Sequence, residues 1–296
     1  MKIVAGLGSL KDYGAYVQAG ADELFCGVMP FDWLEKYGVS VPLNRREVLM
    51  YPVQIASMAD MRLLAKCSRA DNIPVAVTFN SSCYAPEHVP HIVNMMKELT
   101  DMGIDRFIVA DPMLMLHMPK DCRIHVSGEW GEFSKNSLEF LKRFHVARLI
   151  YHRKVTIPEM RLCREAMPDI EYEAFLLNER CYYTGALCNS LHCDELPAIC
   201  KLPFVIGGID ERTDIIAPEG GSRKEGIGAG GCGICALDAL EKAGITHLKL
   251  VGRGNTPEKM VRDIAFLKQA IACKGDVKQA MFPGGCPGAC YYETEE

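Results

Sequence analysis

The chain has 296 residues, of which 49% are apolar and 24% charged, with a formal net charge of −5, the composition of an ordinary globular protein with a large core. The acidic balance supplies no electrostatic drive toward general nucleic-acid binding, and basic clusters are no longer than pairs such as Arg45-Arg46. The opening MKIVAGLGSL is too short, and too soon interrupted by Lys11-Asp12, for a signal peptide, and no stretch approaches the length of a membrane span, so a cytoplasmic protein is expected. In that reducing setting its 14 cysteines cannot mainly be structural disulfides; they are buried thiols or metal ligands.

Short, near-continuous apolar runs alternate with helical patterns. The runs are Lys2–Ala5, Glu23–Cys26, Pro74–Thr78, Arg106–Val109, Arg123–Val126, Ala147–Tyr151, Glu171–Leu176 and His247–Leu250. Strands of this kind belong to a parallel sheet covered on both faces, and eight of them in this length predict a closed (β/α)8 TIM-like barrel of the α/β class. Between them, helices are expected over Leu10–Ala19 with Gly20 as C-cap, Pro86–Met102 ending at Gly103, Ser134–Phe144, Pro158–Ala166 and Ala236–Ala243 ending at Gly244. Thr256-Pro257-Glu258 reads as an N-cap, a proline at the first helical position and an acid in the first turn. Two regions break the rhythm: a Cys-, Gly- and Pro-rich insertion, 178–236, between strands seven and eight, and a Cys-containing tail, 275–296. Residues 1–274, insertion included, are expected to form one domain.

Within the insertion, ERCYYTGALCNSLHCDELPAICK places Cys181, Cys188, Cys193 and Cys200 with six, four and six residues between them. Thiolates are soft donors suited to zinc or an iron–sulfur cluster. Structural zinc takes tighter pairs, so these gaps favour the bulkier cluster over zinc and over four packed thiols in a polar loop. A second set, the C-x-x-C of Cys232 and Cys235 with Cys286 and Cys290 of the tail, could hold another metal if the two pairs meet; the competing readings are local thiols or a redox pair.

Barrels of this kind work at the C-terminal ends of their strands. There the sequence offers Asn80, Asp111, His125, Glu129, Arg153, Glu173, Lys249 and Arg253. Asp111, His125, Arg153 and Glu173 are the candidates for positioning substrate or moving protons, and Asn80, Glu129, Lys249 and Arg253 for binding it. Each has a plainer reading: Asp111 before Pro112 fits a turn cap, Arg153 a solvated charge, His125 a packed core histidine. Glu173 is expected to face inward, with Phe175 outward, and to need a cation such as Lys249 or Arg253. Gly252-Arg253-Gly254-Asn255, leading into a capped helix, also fits a phosphate site.

The ordered set of motifs resembles peptidase family U32, the collagenase-like peptidases. Tyr13–Gly27 is similar to that family's opening "ALKAAIEAGADAVYLG", Ile108–Pro112 to "IVSDP", Ile124–Ser127 to "HVS", Glu173-Ala-Phe175 with Cys181 and Cys188 to "EVFVHGALC…C", Ile199–Phe204 to "LCKGRY", and Leu248–Arg253 to "LKIEGR". The resemblance runs from residue 1 to about 270. It implies a barrel, and, from members that hydroxylate ubiquinone precursors or RNA without oxygen, a 4Fe–4S cluster on four cysteines. It favours Cys193 as third ligand and Cys200 as fourth, with Cys232 in reserve because the loop is short here. Leu177-Asn178 replaces the family's His-Gly, Glu129 its Gln, and Val251 its Glu, so a different substrate is implied. The expected activity is that of an oxygen-independent hydroxylase or other redox enzyme with a small-molecule substrate and an electron donor. The alternatives are a peptidase and a non-catalytic subunit paired with a homologous chain. RNA is disfavoured as substrate by the acidic charge.

Overall fold

The computed structural model describes residues 1–38, 41–45, 53–131, 133–179, 181, 206–207, 213–214, 226–286 and 290–292. Eight parallel strands close into a barrel: β1 (Lys2–Gly6), β2 (Glu23–Gly27), β3 (Val75–Phe79), β4 (Arg106–Val109), β5 (Arg123–Val126), β6 (Val146–Ile150), β7 (Glu171–Leu177) and β10 (His247–Leu250). They neighbour one another in chain order, and β10 pairs with both β7 and β1 to complete the ring. Between β7 and β10 two short pieces, β8 (Ile206–Gly207) and β9 (Thr213–Asp214), pair antiparallel. The expected (β/α)8 architecture and all eight strand positions hold. Most of the 178–236 insertion, Cys188, Cys193 and Cys200 among it, lies outside the described residues.

Alternation sends one face of every strand outward. Ile3, Leu24, Val75, Val77, Phe107, Val109, Ile124, Leu149, Ala174 and Leu248 pack under the helices as one continuous core. The helices form where caps and apolar stripes coincide. Gly20, with φ 108°, ends α1 (Tyr13–Ala19), a backbone conformation that a side chain would strain. Thr156 and Glu159 make a reciprocal capping box at the start of α7 (Ile157–Ala166). Thr256 caps α9 (Pro257–Ala272), which packs on α1 and β1. Two helices that the sequence reading passed over, α2 (Phe31–Tyr37) and α3 (Met58–Asp71), fill the long connection from β2 to β3. The tail carries a further short helix, α10 (Val277–Met281), whose N-cap is Asp276.

The other strand face fills the barrel. Its apolar belt is Val4, Phe25, Ala76, Ile108, Ile150, Phe175 and Val251. Phe175 is therefore inside, not outside as expected: residues two apart on a strand share a face, so Glu173 and Phe175 cannot point opposite ways.

Candidate active site at the barrel mouth

Below the apolar belt, toward the N-terminal ends of the strands, the interior is charged. Arg148, in the middle of β6 and 1% exposed, meets Glu23 through two bonds, Nη1 to Oε1 at 2.8 Å and Nη2 to Oε2 at 2.9 Å. It also donates to Glu173 Oε2 at 2.8 Å, to Glu171 Oε2 at 2.8 and 3.0 Å, and to His247 Nε2 at 3.0 Å. A guanidinium only donates, so His247 Nε2 must accept; its Nδ1 then carries the proton toward Thr246 Oγ1 at 2.7 Å. Lys249 Nζ completes the set, 2.6 Å from Glu173 Oε1 and 3.8 Å from the Phe25 ring centre. Burial alone would raise Glu173, but the Lys249 ammonium and the Arg148 guanidinium hold its carboxyl at about 2. Burial, and then Arg148, lower His247 to about 4. Burial, and then the cations Arg148, Arg106 and Lys249, hold His125 well below the usual imidazole range, and its Nδ1 has no partner among the described residues.

Above the belt lies the mouth. Arg153 leaves β6 and lays its guanidinium 3.9 Å from the Phe175 ring centre, while its buried Nε meets no acceptor among the described residues. Arg253 turns inward from β10 to Gln54 Oε1 at 2.9 Å and Thr78 Oγ1 at 3.3 Å. Thr78 also hydrogen-bonds Asn44, which is fully buried. Gly27 faces this group, and a Cβ there would lie 1.7 Å from Gln54 Oε1 and 2.6 Å from Arg253 Nη1. Asn80 accepts from the Arg45 amide at 3.2 Å and donates to Ser127 Oγ at 3.5 Å. Glu129 Oε2 is 3.4 Å from Arg45 Nε. Burial raises the Glu129 carboxyl above the ordinary range, against the pull of Arg45 and Arg153.

The eight expected site residues therefore divide. Asn80, Glu129, Arg153 and Arg253 gather at the mouth. Glu173, Lys249 and His125 lie within the barrel, the first two committed to each other. Asp111 caps α5 (Pro112–His117), accepting from the Met113 amide at 2.8 Å and the Tyr84 amide at 2.9 Å, the plainer reading of that residue. Arg253 points into the mouth, where its Nη1 meets Gln54 and Thr78, and the helix that follows is capped by Thr256. Sequence reasoning missed Arg45, Asn44 and Gln54, which come from the connection after β2 and carry no motif. It also missed Glu23, Arg148 and His247, whose signal was a charge inside an apolar strand.

At the end of β7, Asn178 and Glu179 take left-handed backbone angles, φ 66° and 53°, and turn the chain toward Cys181. Asparagine tolerates that region better than most residues. Asn178 is pinned there: its amide donates to Gly231 O at 3.1 Å, and Nδ2 donates to the buried Asp263 at 2.8 Å. Cys181 is half-buried just beyond the turn and outside any disulfide. Four thiolates beginning at this point are chemically a fitting donor set for a 4Fe–4S cluster. Among the described residues, no group of three or more His, Cys, Asp or Glu side chains stands at metal-binding separations. No helix among them is long and apolar enough to cross a membrane.

The tail closes onto the same end of the barrel. Tyr292, 6% exposed, donates to Phe175 O at 2.7 Å, Tyr291 donates to Asn178 O, and the Tyr291 amide donates to Cys232 O at 2.8 Å.

A parallel eight-stranded barrel with a polar, arginine-bearing mouth and a cysteine run leaving its seventh strand is the class of protein this geometry defines. The chain belongs to peptidase family U32, whose model matches residues 8–280. It is 27% identical over 97 residues to tRNA hydroxylation protein P of Escherichia coli and 27% over 96 residues to the protein of the same name from Haemophilus influenzae. Each match covers 31% of this chain and only 21% of the relative. Among solved structures, a U32 peptidase is 13% identical, with a TM-score of 0.45 over 60% of this chain and 69% of its own. A phosphoribosyl anthranilate isomerase from Thermus thermophilus has a TM-score of 0.43 at 10% identity, over 92% of this chain and 100% of its own. Likenesses of that degree add nothing to the fold read from the strand order.

Proposed function

We propose that the chain is an iron–sulfur-dependent, oxygen-independent hydroxylase or closely related redox enzyme whose substrate sits in the barrel mouth. The observation that carries this reading is the placement of Cys181: the cysteine run starts just beyond the C-terminal end of β7, the end of the barrel that carries the mouth. Cys181, Cys188, Cys193 and Cys200 are the proposed ligands. When bound, a cluster there supplies one-electron transfer beside the substrate.

The chain's own residues do the rest. Arg153 and Arg253 favour an anionic substrate or an electron-rich ring, since a guanidinium binds phosphate and carboxylate and stacks on aromatic faces. The raised Glu129 carboxyl is suited to hold and release a proton at Oε2. Phe25 and Phe175 form an apolar floor that excludes water from beneath the substrate. Asp111, His125, Glu173 and Lys249 are assigned to building and holding the barrel rather than to touching substrate. The curated relatives are named for tRNA hydroxylation, which makes a tRNA nucleoside the first substrate to try. A peptidase reading gains nothing at the mouth, where the Ser127 hydroxyl is engaged by the Glu129 amide and Asn80 Nδ2.

Anaerobic purification should give a brown protein with about four irons and matching sulfide per chain, and Cys181→Ser should be colourless. Wild-type protein that stays free of iron and sulfide after anaerobic reconstitution would sink the reading.

A further inference from the structure

The tail adds a residue to the mouth. β6 pairs with β7 only as far as Ile150 with Glu173, and Glu173 O accepts from the Tyr151 amide at 2.9 Å. Carbonyls two apart on a strand point to the same side, so Phe175 O is the next acceptor on that edge. It is taken by the Tyr292 hydroxyl at 2.7 Å rather than by β6. The tail therefore continues the barrel wall where β6 turns away. Tyr291, beside this anchor, is half-buried and packs against the inner apolar belt that includes Phe25 and Phe175. Its hydroxyl donates to Asn178 O and its amide to Cys232 O at 2.8 Å, so side chain and backbone are both tied to the end of β7 and the loop paired with it.

Arg153 flanks the same belt, its guanidinium 3.9 Å from the Phe175 ring centre. Its buried Nε has no acceptor among the described residues, and Glu129, an acid that feels its charge, makes its 3.4 Å contact with Arg45 instead. Burial pushes the Tyr291 phenol up to about 12, Glu179 adds to the rise, and Arg153 pulls against it. An otherwise acidic chain, of net charge −5, thus sets a guanidinium without an ion-pair partner beside aromatic rings at the open end of its barrel. Such a pair suits a flat group that carries negative charge, because the guanidinium binds carboxylate or phosphate while a ring takes the flat face.

Given a substrate in the mouth, the reading on which this step rests, we propose that Tyr291 and Arg153 form one binding surface for a planar anionic group of that substrate. The Tyr291 ring lies against the flat face, and the guanidinium takes the carboxylate or phosphate. Tyr291 is then a substrate-binding residue supplied by the tail, held in place by the Asn178 carbonyl and by its neighbour Tyr292.

The test is calorimetry on the full chain, purified anaerobically. Benzoate and the common ribonucleoside 5′-monophosphates serve as planar anions, benzamide and the nucleosides as their neutral counterparts, and inorganic phosphate as charge without a ring. At least one planar anion should bind the wild type about tenfold or more tighter than its neutral counterpart; benzoate against nucleotide tells carboxylate from phosphate. Arg153→Met should remove that difference. Tyr291→Leu should weaken the planar anion about fivefold or more and leave inorganic phosphate unchanged, while Tyr291→Phe, which keeps the ring, should stay near wild type. Arg62→Met, which removes an exposed cation from α3, should change nothing. Hydrogen exchange of the wild-type tail around Tyr291 should slow when the planar anion is bound, a readout that depends on no variant folding. Four outcomes overturn the proposal: no planar anion binds the wild type; charged and neutral compounds bind alike; Arg62→Met weakens binding as much as Arg153→Met; or Tyr291→Leu binds like wild type. Binding needs neither iron nor turnover. Colourless protein that binds a planar anion would fail the cluster reading and leave this one standing, and brown protein that binds none would do the reverse.

Discussion

The two ends of the barrel interior use charge in opposite ways. At the N-terminal end, Arg148 satisfies Glu23, Glu171, Glu173 and His247 at once, and Lys249 takes the remaining oxygen of Glu173. At the mouth, Arg153 leaves a buried Nε without an acceptor among the described residues, and Glu129 is buried with a contact of 3.4 Å to Arg45. The first region is a closed hydrogen-bonded network in which each charge is matched; the second keeps bonding capacity in hand. Phe25 and Phe175 lie between them, touching cations of both regions: Lys249 and Arg253 at Phe25, Arg153 at Phe175. A satisfied buried network holds a fold together, while incompletely matched groups at the end of a barrel are what a ligand can complete.

That contrast can be broken from the stable side first. Arg148→Met leaves Glu23 and Glu173 buried without their partner and should cost about 3–5 kcal/mol in denaturant unfolding. A loss near zero would mean the network is not what holds the interior.

Acid is the next largest challenge. His247 is held at about 4 when folded, below the ordinary imidazole value of 6.5, so the unfolded chain binds more protons between those values. Stability should therefore fall as pH drops from 6.5 toward 4. Glu173 adds a second loss, as pH falls from 4.5 through its folded value of about 2. Melting temperature followed against pH should show the upper limb in wild type and a flatter one in His247→Gln.

At the mouth the effects shrink. Gly27→Ala drives a methyl into Gln54 and Arg253 and should cost about 1–3 kcal/mol, because the clash falls on side chains that can move. Arg153→Met forfeits the stack on Phe175 and should cost only about 0.5–1 kcal/mol in the same unfolding assay. An Arg153→Met penalty as large as that of Arg148→Met would erase the distinction between the two ends.

The barrel was legible because its signal is local. Each strand is a short apolar run such as Arg106–Val109, and the clearest helices are marked by their caps, Thr156 with Glu159 or Thr256 with Pro257. The connection from β2 to β3 was harder to read, since α2 starts after Pro30 with no side-chain cap. Within the site, Arg153, Arg253, Glu129 and Asn80 were found by their position at strand ends. Arg45 and Gln54 were not, because a loop residue reaches a site through the path of its chain, which no periodicity encodes.

The sequence by itself determined the eight-stranded barrel, the strand ends that face the mouth, and the soft-donor character of the cysteine run, all properties of residue type and short-range spacing. Tertiary structure alone decided which charges are spent and which remain. Glu173 and Lys249 lie 76 positions apart and Arg148 and Glu23 lie 125 apart, yet they close one network because barrel closure brings β2, β6, β7 and β10 to a common axis. It likewise brought Cys290 beside Cys232, a meeting that depends on how the tail folds back over the end of β7. Spacing along the chain shows what a residue can do; only the closed barrel shows what its neighbours leave it to do.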